Sequence, residues 1–221
     1  MTTARASRGL LVTVEGGEGA GKSTLAAMLA DRARDAGLDV EACREPGATA
    51  LGERIRRALL GAGPGAPAPA PGAELLLIAA ARAELVVEML RPAHARRAIV
   101  ICDRYEDSTI AYQHGGRRLD RSVVAVVNRA ATGGLSSDLT LLLDIAPAEG
   151  LARGGAAGDY LEGEALAFHE RVRACYRELA REDPARWLVL DAREPPQALV
   201  ARAWERLDAL RASTRPGPAG R

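Results

Sequence analysis

The sequence predicts a three-layer α/β protein, in which helices cover both faces of a five-stranded parallel sheet. Short apolar runs alternate along the 221 residues with longer segments of helical periodicity, which is the pattern of parallel sheets. The runs are almost continuously apolar, as in strands that are buried on both faces. A glycine-rich turn joins the first run to the first helical segment, so the chain opens with a strand, a turn and a helix.

Five strands and seven helices follow from these runs and from the glycine and proline residues between them. The strands are short apolar runs, predicted in order at residues 10–14, 39–43, 98–102, 139–144 and 187–190. The helices are the segments of helical periodicity, predicted in order after Gly21 and at residues 50–60, 74–90, 107–114, 121–131, 164–181 and 196–211.

The chain length favours a single domain with mobile ends. We expect a flexible N-terminus at residues 1–8, one domain at residues 9–211 and a disordered tail at residues 212–221. The proline-, alanine- and glycine-rich tract at residues 61–73 is predicted to be an exposed connector. The glycine-rich stretch at about residues 152–163 is predicted to be a short hinged lid.

Charge and cysteine content narrow the class of partner. The chain has 30 Lys+Arg against 29 Asp+Glu, interspersed, so the sequence predicts a small-molecule partner and neither nucleic acid nor a membrane. The apolar run at residues 10–14 is too short for a signal sequence or a membrane span. Three cysteines, widely separated and without a CxxC pattern, indicate neither a disulfide framework nor a zinc site and favour the cytoplasm.

The stretch EGGEGAGKST at residues 15–24 matches the phosphate-binding pattern GxxxxGKS/T. Lys22 is the only lysine of the chain, in a composition that otherwise uses arginine, and a compact ammonium fits a tight phosphate cradle better than a guanidinium. Lys22 is predicted to bridge the terminal phosphates of a nucleoside triphosphate, and Ser23 to ligate Mg²⁺. The predicted nucleotide-binding residues of the loop, the ATP-binding set if the nucleotide is ATP, are Gly16, Gly17, Glu18, Gly19, Ala20, Gly21, Lys22, Ser23 and Thr24.

A second cluster follows the third predicted strand, where Asp103 and Arg104 should reach the same edge of the sheet as the loop. We expect Asp103 to hold Mg²⁺ or its water and Arg104 to grip an acceptor phosphate with its fork. A surface ion pair is the alternative for these two residues taken alone. The sequence argues against a guanine-specific switch, because the base-reading motif of such proteins needs a second lysine and this chain has only Lys22.

Six stretches, which include EGGEGAGKST, REPGAT and DRYEDSTIAYQHGGR, resemble the thymidylate kinase family in sequence and order. They lie at residues 15–24, 44–49, 75–86, 103–117, 138–147 and 170–180. The resemblance implies the P-loop kinase fold with a lid, and the formation of dTDP from dTMP and ATP. The family is commonly dimeric, and the apolar residues of the predicted helices at 74–90 and 121–131 could pair two subunits.

The resemblance also implies an acceptor site. Glu18 would lie near the sugar hydroxyl, Pro46 would wall the pocket, and Tyr112 would crowd the 2′ position so that deoxyribose is selected. Arg104 would hold the acceptor phosphate. For the base, the implied residues are Arg82 at a carbonyl, Thr109 and Gln113 along the pocket, and Ile78 where relatives usually have an aromatic ring.

Arg153 is implied to stack on the donor adenine, and with Lys22, Asp103 and Arg104 it completes the predicted catalytic set. The family places a charge-neutralising arginine either in the phosphate loop, where this chain has Gly19, or in the lid, where Arg153 is the only candidate. The departures leave two alternatives open. Ile78, together with Ala48 in place of a usual glycine, suggests a modified pyrimidine monophosphate as acceptor, and the arginine-poor lid suggests a regulatory nucleotide-binding protein with little turnover.

Overall fold

A computed structural model of the chain describes residues 8–60, 69–154, 161 and 163–214. The strands are β1 Leu10–Gly16, β2 Val40–Arg44, β3 Ile99–Asp103, β4 Leu139–Asp144 and β5 Trp187–Asp191. They form a parallel sheet in the order β2-β3-β1-β4-β5, with helices packed around it, so the predicted fold class is confirmed. Every predicted strand is present, with ends that differ by no more than two residues.

The helices of the described residues include two short π-helical turns. The α-helices are α1 Lys22–Asp35, α2 Ala50–Leu60, α3 Pro71–Leu85, α4 Arg91–Ala95, α5 Glu106–Thr109, α6 Arg121–Thr132, α7 Pro147–Gly154, α8 Leu166–Glu182 and α9 Pro196–Thr214. The turn Val86–Leu90 joins α3 to α4, and the turn Ile110–Gly116 continues α5. Such turns often occur at functional sites, and the second one carries two of the predicted site residues.

Three segments expected to be irregular are partly helical. The predicted connector at residues 61–73 ends early, because Pro71 begins α3 at a position that a helix tolerates well. The first residues of the predicted lid form the last turn of α7, a helix that we did not predict. Residues 212–214 of the predicted tail belong to α9. The remaining residues of these segments, and residues 1–7, lie outside the described part of the chain.

The strand β1 is central in the sheet and fully buried, so apolar residues pack against both of its faces. Alternate side chains of this strand point to opposite faces. On one face Val12 packs with Leu29 of α1 and Leu207 of α9, and on the other Leu11 packs with Leu85 of α3. Because β1 and β3 are parallel, their carboxyl ends lie at the same edge of the sheet, between these helical layers. Among the described helices, none combines the length and the apolar character that crossing a membrane requires.

Candidate active site

A cleft of about 430 Å³ opens at the carboxyl edge of the sheet and contains most of the predicted site residues. These are Glu18, Gly19, Gly21, Lys22, Ser23, Thr24, Pro46, Ile78, Arg82, Asp103, Arg104, Thr109, Tyr112 and Gln113. Gly16, Gly17 and Ala20 belong to the same loop without forming the cleft wall. Lys22 and Arg104, expected from two distant motifs, thus share one crevice.

The phosphate loop brings Lys22 to the floor of the cleft. Gly21, with a φ of 91°, precedes α1 and lets the backbone turn into the helix. The buried Lys22 ammonium donates a 2.6 Å hydrogen bond to the Gly17 carbonyl oxygen. Burial and the neighbouring Arg104 charge lower the pKa of Lys22 to about 8, against the opposing effect of Glu18. A polyphosphate in the cleft would favour the charged ammonium, so the lysine is suited to an anionic ligand.

Gly19 lies against α7, and this contact determines which residues can occupy position 19. Its φ is 65°, and a Cβ at this position would lie 1.8 Å from the Gly150 carbonyl oxygen. A side chain here would therefore collide with backbone rather than with a flexible group. Some members of the family that the sequence resembles have an arginine at the position of Gly19. The packing of α7 against the loop explains why this chain cannot have one there.

The contact predicts that Gly19→Ala lowers the free energy of unfolding by at least about 2 kcal/mol, since left-handed backbone and overpacking each destabilise. Thermal unfolding measures the loss. The matched control is Gly17→Ala in the same loop, where an added Cβ meets no atom within 4 Å. An equal loss of thermal stability in the two variants would show that the Gly150 contact is unimportant.

Arg104, Glu18 and Tyr112 form a polar cluster across the middle of the cleft. The Arg104 guanidinium donates to Glu18 Oε1 at 2.7 Å and to the Gly16 carbonyl oxygen at 3.3 Å, and Tyr112 donates to Glu18 Oε1 at 2.6 Å. Burial opposes ionisation of Glu18, but the Arg104 and Lys22 charges outweigh it and lower its pKa to about 2. The cluster thus presents a fixed cation beside a fixed carboxylate and a hydroxyl.

Ser23 and Asp103 also line the cleft, and the Ser23 hydroxyl donates to Asp103 Oδ2 at 2.5 Å. The other carboxylate oxygen, Asp103 Oδ1, is buried without a hydrogen-bond partner in the described part of the chain. Hydroxyl and carboxylate oxygens are the ligands that Mg²⁺ takes beside substrate phosphates. No group of three potential metal-binding His, Cys, Asp or Glu residues occurs among the described residues. Ser23 and Asp103 therefore fit a Mg²⁺ ion that takes its remaining ligands from phosphate groups.

Arg82 is engaged more completely than the sequence suggested. Its guanidinium donates to Glu45 Oε2 through Nε at 2.8 Å and through Nη2 at 2.5 Å, and to the Tyr105 carbonyl oxygen at 3.0 Å. Its remaining Nη1 donates to Thr109 Oγ1 and Asn128 Oδ1, each at 2.8 Å. All five N–H groups thus have protein acceptors. A bond from Arg82 to a base would have to replace one of these, and its role at a base carbonyl stays a prediction.

Apolar residues form one part of the cleft wall. Ile78 lies with Leu59, Leu60 and Leu161 along this wall, and Gln113 lies on the π-helical turn nearby. A planar ring bound against this part of the wall would contact aliphatic side chains and no aromatic one among the residues named here. Ala48, which stands where a glycine is usual, does not line the cleft and packs instead against the core. Its φ of 66° explains why a glycine is usual at this position.

Arg153 lies apart from these residues, at the end of α7 and not on the cleft wall. Its guanidinium donates to the Ala192 carbonyl oxygen and to Glu149 Oε1, each at 2.8 Å. The side chain is 40% exposed, so it can leave these partners at small cost. Its predicted roles at the donor base and in catalysis remain predictions.

Sequence reasoning missed Glu15, a buried carboxyl at the end of β1. Glu15 accepts hydrogen bonds from the Tyr105 N–H at 2.8 Å, the Ser108 hydroxyl at 2.5 Å and the Tyr176 hydroxyl at 3.0 Å. It thereby fixes the turn that follows Arg104, whose φ of 71° is left-handed. An acidic residue inside an otherwise apolar strand was the available signal. Glu15 does not line the cleft itself; the cleft residues that sequence reasoning missed are Arg44, Glu45, Arg56, Leu59, Leu60, Ser108 and Leu161.

Burial, with the Asp107 charge, raises the pKa of Glu15 to about 8. The folded protein therefore binds a proton at this site that the unfolded chain releases near its ordinary pKa, so stability falls as the pH rises from about 5 to 8. Glu15→Gln, which mimics the protonated group, should flatten this slope by up to about 1 kcal/mol per pH unit. Chemical unfolding of both proteins at several pH values tests this, and parallel curves would contradict it.

Comparison with known proteins agrees with this geometry. A family model described as thymidylate kinase matches residues 14–203. A thymidylate kinase of Thermomicrobium roseum is 50% identical over 196 residues, which are 87% of this chain and 91% of the relative. A thymidylate kinase of Deinococcus radiodurans is 48% identical over 200 residues, 90% of this chain and 96% of the relative. The crystal structure of thymidylate kinase from Ehrlichia chaffeensis has a TM-score of 0.72 at 29% identity, covering 90% of this chain and 98% of that one.

Proposed function

The chain belongs to the thymidylate kinase family, and from this premise we propose that it transfers the γ-phosphoryl group of ATP to dTMP, which yields dTDP and ADP. The observation that carries the proposal is the shared cleft of Lys22 and Arg104. Phosphoryl transfer depends on in-line positioning and charge neutralisation more than on covalent chemistry. One cation at the donor end and another at the acceptor end meet this need.

On the donor side, the loop amides and Lys22 would hold the ATP phosphates at the start of α1. Ser23 and Asp103 would hold Mg²⁺, which supplies neutralisation of phosphate charge when it is bound. The 2.5 Å bond between these residues supports the assignment, as does Asp103 Oδ1, which has no partner among the residues that the structure describes. Arg153 is the candidate for the donor adenine.

On the acceptor side, Arg104 would bind the dTMP phosphate while Glu18 receives the 3′-hydroxyl of the sugar. Tyr112 donates to the same carboxylate, so its ring stands beside the sugar, where a 2′-hydroxyl would be crowded. Pro46, Ile78, Thr109 and Gln113 would enclose the base. The preference for deoxyribose then follows from the space that Tyr112 occupies.

The assembly proposed here is a homodimer. Four apolar side chains are more than half exposed on α3, the turn after it and α6: Leu76, Val87, Val123 and Val126. Helices α3 and α6 pack against each other, which supports an interface that the two helices share. Light scattering of the full chain should give about twice 23.2 kDa, and a monomer would overturn the assignment. A cytoplasmic setting is also proposed, supported by the free thiols of Cys43, Cys102 and Cys175.

An assay with ATP, Mg²⁺ and dTMP tests the activity. dTDP and ADP should form in equal amounts, and ATP should be stable when dTMP is omitted. Nucleotide binding without dTDP formation would overturn the proposal in favour of a regulatory protein. A panel that adds dUMP, dCMP and 5-substituted deoxyuridine monophosphates extends the test, because turnover of a modified pyrimidine without turnover of dTMP would overturn it as well.

A further inference from the structure

The side-chain amide of Gln113 forms a hydrogen bond within the protein through its nitrogen but not through its oxygen in the described residues. Its Nε2 donates to Glu74 Oε1 at 2.6 Å, whereas its Oε1 is buried without a hydrogen-bond partner in the described residues. The side chain is 1% exposed and belongs to the cleft wall. An unpaired buried acceptor is unfavourable, so a ligand that donates a hydrogen bond to it is favoured. In this orientation Oε1 is the atom of the Gln113 amide that is left for a ligand to pair.

Glu74 enforces this orientation because a carboxylate can only accept. It is fully buried in α3, and Arg117 contacts it through Nε at 3.1 Å from Oε2 and through Nη2 at 3.0 Å from the same oxygen. Arg117 is fixed in turn by a hydrogen bond to Glu164. Turning the Gln113 amide over would bring two acceptors together in a buried site. The carboxylate thus determines which atom Gln113 shows to the cleft.

The chemistry of pyrimidines gives this orientation a consequence. Thymine and uracil carry a hydrogen on N3 and can donate to an acceptor, whereas the N3 of cytosine is itself an acceptor. We propose that Glu74 is a specificity-determining positioning residue, which selects 4-oxopyrimidine monophosphates over 4-aminopyrimidine monophosphates by fixing the Gln113 amide. The inference rests on the proposed function, because it assumes that a pyrimidine monophosphate occupies this cleft.

The variant E74Q tests the inference. A glutamine at position 74 can donate as well as accept, which allows the Gln113 amide to turn over and show its NH₂ group to the ligand. The ratio of kcat/KM for dTMP to that for dCMP should then fall at least about tenfold. The reaction with dUMP should follow that with dTMP, since both bases carry the N3 hydrogen. A ratio within twofold of the unmutated protein, in a folded E74Q, overturns the proposal.

The exchanged pair E74Q/Q113E is the matched control. Its amide at position 74 donates to the carboxylate at position 113, which again shows an acceptor to the ligand, so the preference for dTMP should return. A residue with a merely structural role would lower both activities and leave the ratio unchanged in every variant. Should E74Q fail to fold, the exchanged pair decides: loss of the dTMP preference in the folded double variant overturns the proposal.

Dissociation constants separate this inference from the proposed function. Calorimetric titration with dTMP, dUMP and dCMP, without ATP, needs no turnover. A protein that binds dTMP more tightly than dCMP, and loses this preference in E74Q, supports the inference even if dTDP never forms. A protein that forms dTDP but keeps its preference in E74Q supports the proposed function and overturns the inference.

Discussion

Replacing Lys22 by alanine is expected to lower kcat by about two to three orders of magnitude, the usual effect of removing one fixed donor from the charge of a transition state. The ammonium stands at the floor of the cleft and is turned to the Gly17 carbonyl, a partner that it can exchange for a phosphate oxygen. Steady-state rates at saturating ATP and dTMP measure the effect. Calorimetry with ATP then separates lost binding from lost catalysis.

Two further variants make this result specific. Lys22→Arg keeps the charge but should remain impaired, since a guanidinium is wider than the ammonium that the loop encloses. Arg34→Ala removes an exposed cation from the same helix and should change kcat by no more than about twofold. A Lys22→Ala protein that retains a tenth or more of its kcat would remove Lys22 from the mechanism.

Arg104→Ala is expected to raise KM for dTMP about a hundredfold or more while KM for ATP changes little. Removing one partner of a buried, hydrogen-bonded charge pair weakens binding by about 2–5 kcal/mol, and 1.4 kcal/mol corresponds to a factor of ten. Because Arg104 also keeps the pKa of Glu18 near 2, its loss should raise that pKa. The acid limb of the pH profile for kcat/KM with dTMP should therefore move to higher pH.

The control for this variant is Arg121→Ala, which breaks an ion pair with Glu182 on the surface. It should leave both KM values and the acid limb in place. A rise of KM for ATP in Arg104→Ala, with KM for dTMP unchanged, would mean that Arg104 serves the donor rather than the acceptor.

The sheet and the two ends of the cleft could be predicted because their signals are local. Each strand is an apolar run between breakers, and parallel strands bring their carboxyl ends to one edge whatever the sequence distance. The lone lysine and the Asp103–Arg104 pair were therefore expected to converge, and the structure puts them in one cleft. The roles of these residues with nucleotides remain predictions.

The remaining features depend on contacts between distant segments. That Gly19 excludes a side chain depends on Gly150, 131 positions away, and no pattern near either glycine reveals it. The five hydrogen bonds of Arg82 go to four residues from separate elements or turns, so only the folded structure shows that all of its N–H groups are engaged. Helix α7 was missed although Pro147 and Glu149 are typical of a first helical turn. The glycine-rich stretch at residues 152–163 led us to predict a hinge there instead of a helix.

The environment of Arg104 bears on the thermodynamics of ligand capture. A flexible arginine gives up about 2 kcal/mol of rotamer entropy when it becomes immobilised. Here Glu18, Gly16 and the face of Tyr112, 4.9 Å from the guanidinium carbon, have already restricted the side chain during folding. A phosphomonoester that arrives at this preordered fork does not have to restrict it again, so its association should show a smaller entropic penalty than binding to a mobile surface arginine.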